Sequence, residues 1–74
     1  MTPIEEYVIR KVKELRTERG LSQQAFGDEI NLSQSFIKAC ENPTSRAKYN
    51  LNHLNEMVRV FDVPFSYFFP DKAL

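Results

Sequence analysis

Between Ser33 and Asn42 the chain reads SQSFIKACEN, and Gln34, Ser35 and Lys38 carry the groups that can read base-pair edges. A glutamine amide sets a donor beside an acceptor and can bond an adenine edge in two places. A serine hydroxyl bonds either kind of partner, and a lysine ammonium reaches guanine or phosphate. If the segment is a helix, Ile37 and Cys40 face inward. Gln34, Ser35 and Lys38 then face outward, with Ala39 and Asn42 at the margin. Glu41 is the one carboxylate inside this segment and would repel phosphate if it faced DNA. It is expected to pair with a basic side chain, Arg16 being a candidate partner.

Other chemistries lack their residues. No Ser/His/Asp or Cys/His constellation, paired acid set, Gly-rich phosphate loop or metal-ligand spacing is present, so no enzyme, cofactor or metal site is expected. His53 stands alone on a polar flank, without the second His, Cys or carboxylate pair that a metal needs. Cys40 reads as a small buried apolar residue, with a redox sensor as the outside alternative.

Seventy-four residues make one domain, residues 1–74, close to the lower limit for a self-sufficient core. One cysteine excludes an internal disulfide, so helix packing or oligomerisation must supply the stability. No apolar run reaches membrane-spanning length, and MTPIEEYVIRKVKEL is acidic before it is basic, unlike a signal peptide. A single thiol without an export signal points to the reducing cytoplasm. Net charge is zero, which weighs mildly against a nucleic-acid binder. Its distribution weighs the other way, because residues 32–61 carry a net +2: Lys38, Arg46, Lys48 and Arg59 against Glu41 and Glu56.

The elements that position these groups follow from caps and periodicity. Thr2, Pro3 and the carboxylates Glu5 and Glu6 open a first helix, with Ile4, Val8, Val12 and Leu15 as its apolar stripe and Gly20 as its stop. Ser22 caps a second helix, QQAFGDEI. Leu21 and Phe26 are spaced as a hydrophobic staple, or Leu21 is simply a buried loop residue. Asn31 ends it, as asparagine tolerates the left-handed conformation. Ser33 then caps the third helix, and Pro43 with the polar run TSRAKY ends it. Asn50 caps LNHLNEMVRVF, Asp62-Val63-Pro64 breaks that helix, and FSYFF before Pro70 forms a last short turn. Five helices and no strand predict an all-α domain.

Only Asn31 and Leu32 separate the second helix from the next cap. A connection that short forces a steep crossing, as in a helix-turn-helix. Such geometry serves either plain packing or the presentation of one helix outward. The whole stretch resembles the Cro/CI-type (XRE-family) helix-turn-helix regulators. Their pattern runs Leu-Ser-Gln-x-x-Leu-Ala-x-x-x-Gly-Val-Ser-x-x-x-Ile-x-x-x-Glu-Asn-Gly. Leu21, Ser22, Gln23, Ser33, Ile37, Glu41 and Asn42 match it, while Phe26, Gly27, Asn31 and Leu32 stand in for the leucine, alanine, glycine and valine. IRKVKELRTERG before the motif and LNHLNEMVRVFDVPFSYFF after it extend the likeness over nearly the whole chain.

The resemblance implies a five-helix, lambda-repressor-like DNA-binding domain with its helix-turn-helix at helices 2 and 3. By the same likeness, helix 33–42 enters the major groove and Gln34, Ser35 and Lys38 contact bases. Gln23 then touches a phosphate and braces the next helix, and Asn42, Thr44, Ser45, Arg46 and Lys48 lie along the DNA backbone. Two residues depart from the pattern. Phe36 stands where the family more often has a small polar residue; it packs against a thymine methyl or turns toward a partner. Pro43 replaces the final glycine, which removes the left-handed exit.

Five rings within nine residues, Phe61, Phe65, Tyr67, Phe68 and Phe69, exceed what one short helix can bury. Phe65, Tyr67, Phe68 and Phe69 are therefore assigned to a homodimer interface. The expected function is a sequence-specific transcriptional regulator bound to double-stranded DNA, a small dimeric repressor. The alternative is an antitoxin or other interaction module whose protein partner binds the aromatic C-terminal surface.

Overall fold

Helix starts in this chain are fixed by four polar side chains, each accepting a backbone N–H of the first turn. The computed structural model describes all of residues 1–74, as four α-helices and one 3-10 turn with no strand. Helix α1 spans Pro3–Glu18, α2 Gln23–Ile30, α3 Gln34–Glu41 and α4 Leu51–Phe61, followed by the 3-10 turn Phe65–Phe68. Thr2 and Glu5 form a reciprocal capping box on α1, with Pro3 at the first helical position. Ser22 Oγ accepts from the Ala25 N–H at 3.0 Å, and Ser33 Oγ accepts from the Phe36 N–H at 3.1 Å. Asn50 Oδ1 accepts from the His53 N–H at 2.9 Å. Each bond satisfies a donor that the helix leaves orphaned.

Helix ends use left-handed residues. Gly20 (φ 68°) lets its own N–H reach Thr17 O and the Leu21 N–H reach Arg16 O, closing α1. Asn31 (φ 60°) closes α2 and Asp62 (φ 54°) closes α4. Helix α3 ends differently: Asn42 is extended, as a residue before proline must be. The fifth expected helix is a single 3-10 turn, because Pro64 before it and Pro70 after it leave no room for an α-helical ladder.

Val8, Val12 and Leu15 bury α1 against Phe26 and Ile30 of α2, Ile37 and Cys40 of α3, and Leu54, Met57 and Phe61 of α4. Phe26 and Phe61 stack with ring centroids 5.2 Å apart. Leu21 is half-buried against this core at the staple position. Ile4, expected in the α1 stripe, is 38 % exposed, since the helix overruns the core at its N-terminal end. The ends of α1 and α4 are joined by Arg19, whose Nη2 donates to Phe61 O at 2.8 Å and so caps α4 from outside. No helix is long and apolar enough to cross a membrane.

The tightest point is the α2–α3 turn. The Leu32 N–H donates to Gly27 O at 2.9 Å, and a Cβ on Gly27 would lie 2.3 Å from Leu32 O. Glycine is required there by space, and even alanine displaces backbone. Gly27→Ala should therefore destabilise the fold by about 1–3 kcal/mol despite alanine's better helix propensity. Urea unfolding reads this as a lower midpoint, whereas an unchanged or higher midpoint would show that the turn yields freely.

Candidate nucleic-acid interface

Helix α3 begins with Gln34 and Ser35, both exposed, and exposes Lys38 one turn on, while Ile37 and Cys40 anchor its opposite face in the core. The three residues read from the sequence as base-contacting thus lie on the outward side of one short helix. Lys38 and Arg46 form no ion pair within the chain and remain free cations. Phe36 turns inward instead. Its ring is half-buried, edge-on to Tyr49 at 5.8 Å and tilted against His53 at 5.1 Å.

Behind the outward face runs a continuous polar chain. Arg16 donates through Nε and Nη2 to the two carboxylate oxygens of Glu41, at 2.8 and 2.7 Å, and through Nη1 to Leu21 O at 2.9 Å. Gln23 Nε2 donates to Glu41 Oε1 at 3.1 Å. Gln34 Nε2 in turn donates to Gln23 Oε1 at 3.2 Å. Burial acts to raise the Glu41 carboxyl, but the bonds from Arg16 and Gln23 outweigh it and hold the group below its ordinary value. The same pairing raises the Arg16 guanidinium. The carboxylate can only accept, so it draws the Gln23 amide nitrogen inward and turns the Gln23 oxygen toward Gln34. Gln34 is left with Oε1 and its second Nε2 hydrogen uncommitted, one acceptor beside one donor. The pair expected between Arg16 and Glu41 therefore does more than neutralise charge. The pair is part-buried, so removing one member costs less than the roughly 3–5 kcal/mol of a fully buried pair.

The loop from Asn42 to Asn50 is ordered by its own side chains. Asn42 Oδ1 accepts from the Thr44 N–H at 3.0 Å and from Thr44 Oγ1 at 2.9 Å. Ser45 Oγ accepts from the Ala47 N–H at 3.1 Å. Such turns mimic backbone turns and replace the left-handed exit that Pro43 forbids. Arg46 projects into solvent, whereas Lys48 is tied to Glu5 on α1 and pulls that carboxyl down to about 2. Among the backbone-contact candidates, Thr44 and Arg46 are exposed beside Asn42, Ser45 is half-buried, and Lys48 is already paired.

Two residues of this region escaped the sequence reading. Tyr49, which stands in the polar run TSRAKY, is buried, and its hydroxyl has no hydrogen-bond partner in the chain. His53 closes a reciprocal capping box, its Nδ1 accepting from the Asn50 N–H at 3.0 Å. The signal was available: His53 stands three residues after an N-cap asparagine, where a side-chain acceptor reaches back. Cys40 is 3 % exposed, and burial pushes its thiol up to about 11, which disfavours the reactive thiolate.

The C-terminal aromatics do not form one surface. Phe68 is fully buried and belongs to the core, so its assignment to a dimer interface is corrected: it has no surface to offer. Tyr67 is half-buried on α1, with Lys11 Nζ 4.6 Å above its ring and its hydroxyl donating to Glu18 at 3.3 Å. Phe69 lines a groove of about 330 Å³ with Ile4, Val8, Tyr49, Leu51 and Leu54. Phe65 alone of the four is openly exposed, at 48 %.

The sequence pattern of the family described as "Helix-turn-helix" matches residues 12–68, more than half of the chain. No curated protein and no solved structure matches the chain.

Proposed function

The chain belongs to the Cro/CI-type (XRE-family) helix-turn-helix DNA-binding proteins, and from that membership we propose that it is a sequence-specific transcriptional regulator. Its action is that of a small dimeric repressor that occupies an operator with α3 in the major groove. One observation carries this reading. Gln34, Ser35 and Lys38 are exposed together, and Gln34 is held by Gln23 with one acceptor and one donor uncommitted. That pair is complementary to the N6 and N7 positions of adenine, while Lys38 reaches guanine or phosphate and Ser35 bonds either kind of partner. Gln23, Asn42, Thr44, Ser45, Arg46 and Lys48 are proposed to follow the phosphates, which fix the register without reading sequence.

One helix contacts too few base pairs to select a site, and two copies about a twofold axis would read half-sites about one helical turn apart. Dimerisation is proposed through Phe65, the exposed member of the aromatic cluster, with Tyr67 and Phe69 only at its margin. The competing reading, an interaction module such as an antitoxin, draws support from the apolar groove, on whose rim Leu51 is 74 % exposed. The two readings are compatible in one protein, because the groove shares no residue with the outward set Gln34, Ser35 and Lys38.

Selection of bound sites from random duplex DNA tests the main reading. A two-part, inverted-repeat site should emerge, and Gln34→Ala should relax one position in each half-site at a cost of about 1–3 kcal/mol. Arg46→Ala should weaken all sites alike and reduce the slope of log affinity against log salt by about 1. Failure to enrich any sequence would sink the reading. Sedimentation equilibrium addresses the dimer: Phe65→Ser should shift the population toward monomer, and an unchanged distribution would remove Phe65 from the interface.

A further inference from the structure

We propose that His53 is a positioning residue for the recognition helix, acting through Phe36, and that it makes DNA affinity fall on mild acidification. The inference rests on the DNA-binding reading for its affinity arm alone. Its geometry has three parts. The His53 ring is half-buried and packs against Phe36, whose neighbours Ser35 and Ile37 are an outward residue and a core anchor of α3. Tyr49 meets both rings edge-on, at 5.8 Å from Phe36 and 6.1 Å from His53. The ring's orientation is fixed by the cap, in which Nδ1 accepts from the Asn50 N–H.

An accepting Nδ1 requires the neutral ring protonated at Nε2. A proton on Nδ1 abolishes that bond and places a cation at the N-terminal end of α4, where the helix dipole opposes it. The groups that meet the ring carry no charge near neutral pH: Phe36 from α3 and Tyr49 from the loop. On α4 itself, the carboxylate one turn on, Glu56, is paired with Arg59. No anion therefore offsets the added charge. Burial likewise holds the His53 ring below its ordinary value near 6.5. The sign follows from this. The contribution of the cap is complete above the unfolded-state value and is lost as pH falls from there through the folded-state value. Because the cap, the Asn42–Asn50 loop and Phe36 share one packed cluster, its loss loosens the support of α3. This direction opposes the simple electrostatic expectation, in which an added cation favours DNA.

The experiment compares the natural chain with His53→Gln, which keeps a capping acceptor at the same position but does not titrate. Binding to the selected duplex is measured at constant salt between about pH 7.5 and 5.5, where histidine alone among the side chains changes charge. The natural chain should lose about fivefold in affinity, on the scale of one helix cap, while His53→Gln stays within about twofold. Equal losses in both, or a gain in the natural chain on acidification, would overturn the proposal. Two-dimensional NMR of the DNA-free natural chain supplies the second arm. The Asn50 amide and the Phe36 ring should shift with the same midpoint as His53. Signals that stay in place through the His53 titration defeat the positioning role. If no duplex is selected at all, the DNA reading fails and this NMR arm decides the inference by itself.

Discussion

The bidentate pair between Arg16 and Glu41 is the constraint around which the rest of this small protein is arranged. It joins the first helix to the end of the third across twenty-five residues of sequence, with both side chains largely withdrawn from solvent. Two charges withdrawn this far from solvent are tolerated only when geometry is good and the remaining polar atoms are satisfied. Here Leu21 O accepts from the third guanidinium nitrogen, and Gln23 donates to the carboxylate. The pair therefore also fixes the start of α2. Through the Gln23 oxygen it reaches Gln34, the first residue of α3. A single ionic contact thus defines the relative setting of three helices and the direction in which an exposed amide points.

Around that node the chain uses small residues to bring backbone close. Gly27 admits the Leu32 carbonyl, and Asn31 turns the chain in a left-handed conformation, so that only three residues lie between α2 and α3. The apolar core then has little freedom: Phe26 stacks on Phe61, and Ile37 and Met57 are completely enclosed. Function, in this arrangement, is a property of what the core does not take. Helix α3 spends Ile37 and Cys40 on packing and leaves Gln34, Ser35 and Lys38 outside.

Much of this was legible in the sequence because it is local. Ser22, Ser33 and Asn50 cap helices through bonds spanning three residues, and Gly20 and Asn31 stop them by their own conformational tolerance. That Glu41 needs a basic partner was legible for a different reason: a carboxylate inside a helix expected to face phosphate must be neutralised, and Arg16 was one candidate among ten cationic side chains. What escaped depends on tertiary placement. Nothing within the sequence near Phe36 indicates that its ring turns to Tyr49 and His53, nor that Lys48 meets Glu5 forty-three residues away. The aromatic cluster misled because a 3-10 turn between extended flanks sends successive rings in different directions. Phe68 enters the core, Tyr67 lies on α1, Phe69 lines a groove, and Phe65 stays outside.

The polar chain running from Arg16 through Glu41 and Gln23 reaches the exposed amide of Gln34, and we propose that it orients that amide for a base edge. Base discrimination by Gln23→Ala, measured separately from affinity, tests it most directly, because Gln34 itself is left in place. The expected result is lost preference at the base pair that Gln34→Ala also relaxes, with other positions of the half-site unaffected beyond a uniform drop in binding. Full preference at that base pair in Gln23→Ala would contradict the claim and reduce the chain to scaffolding.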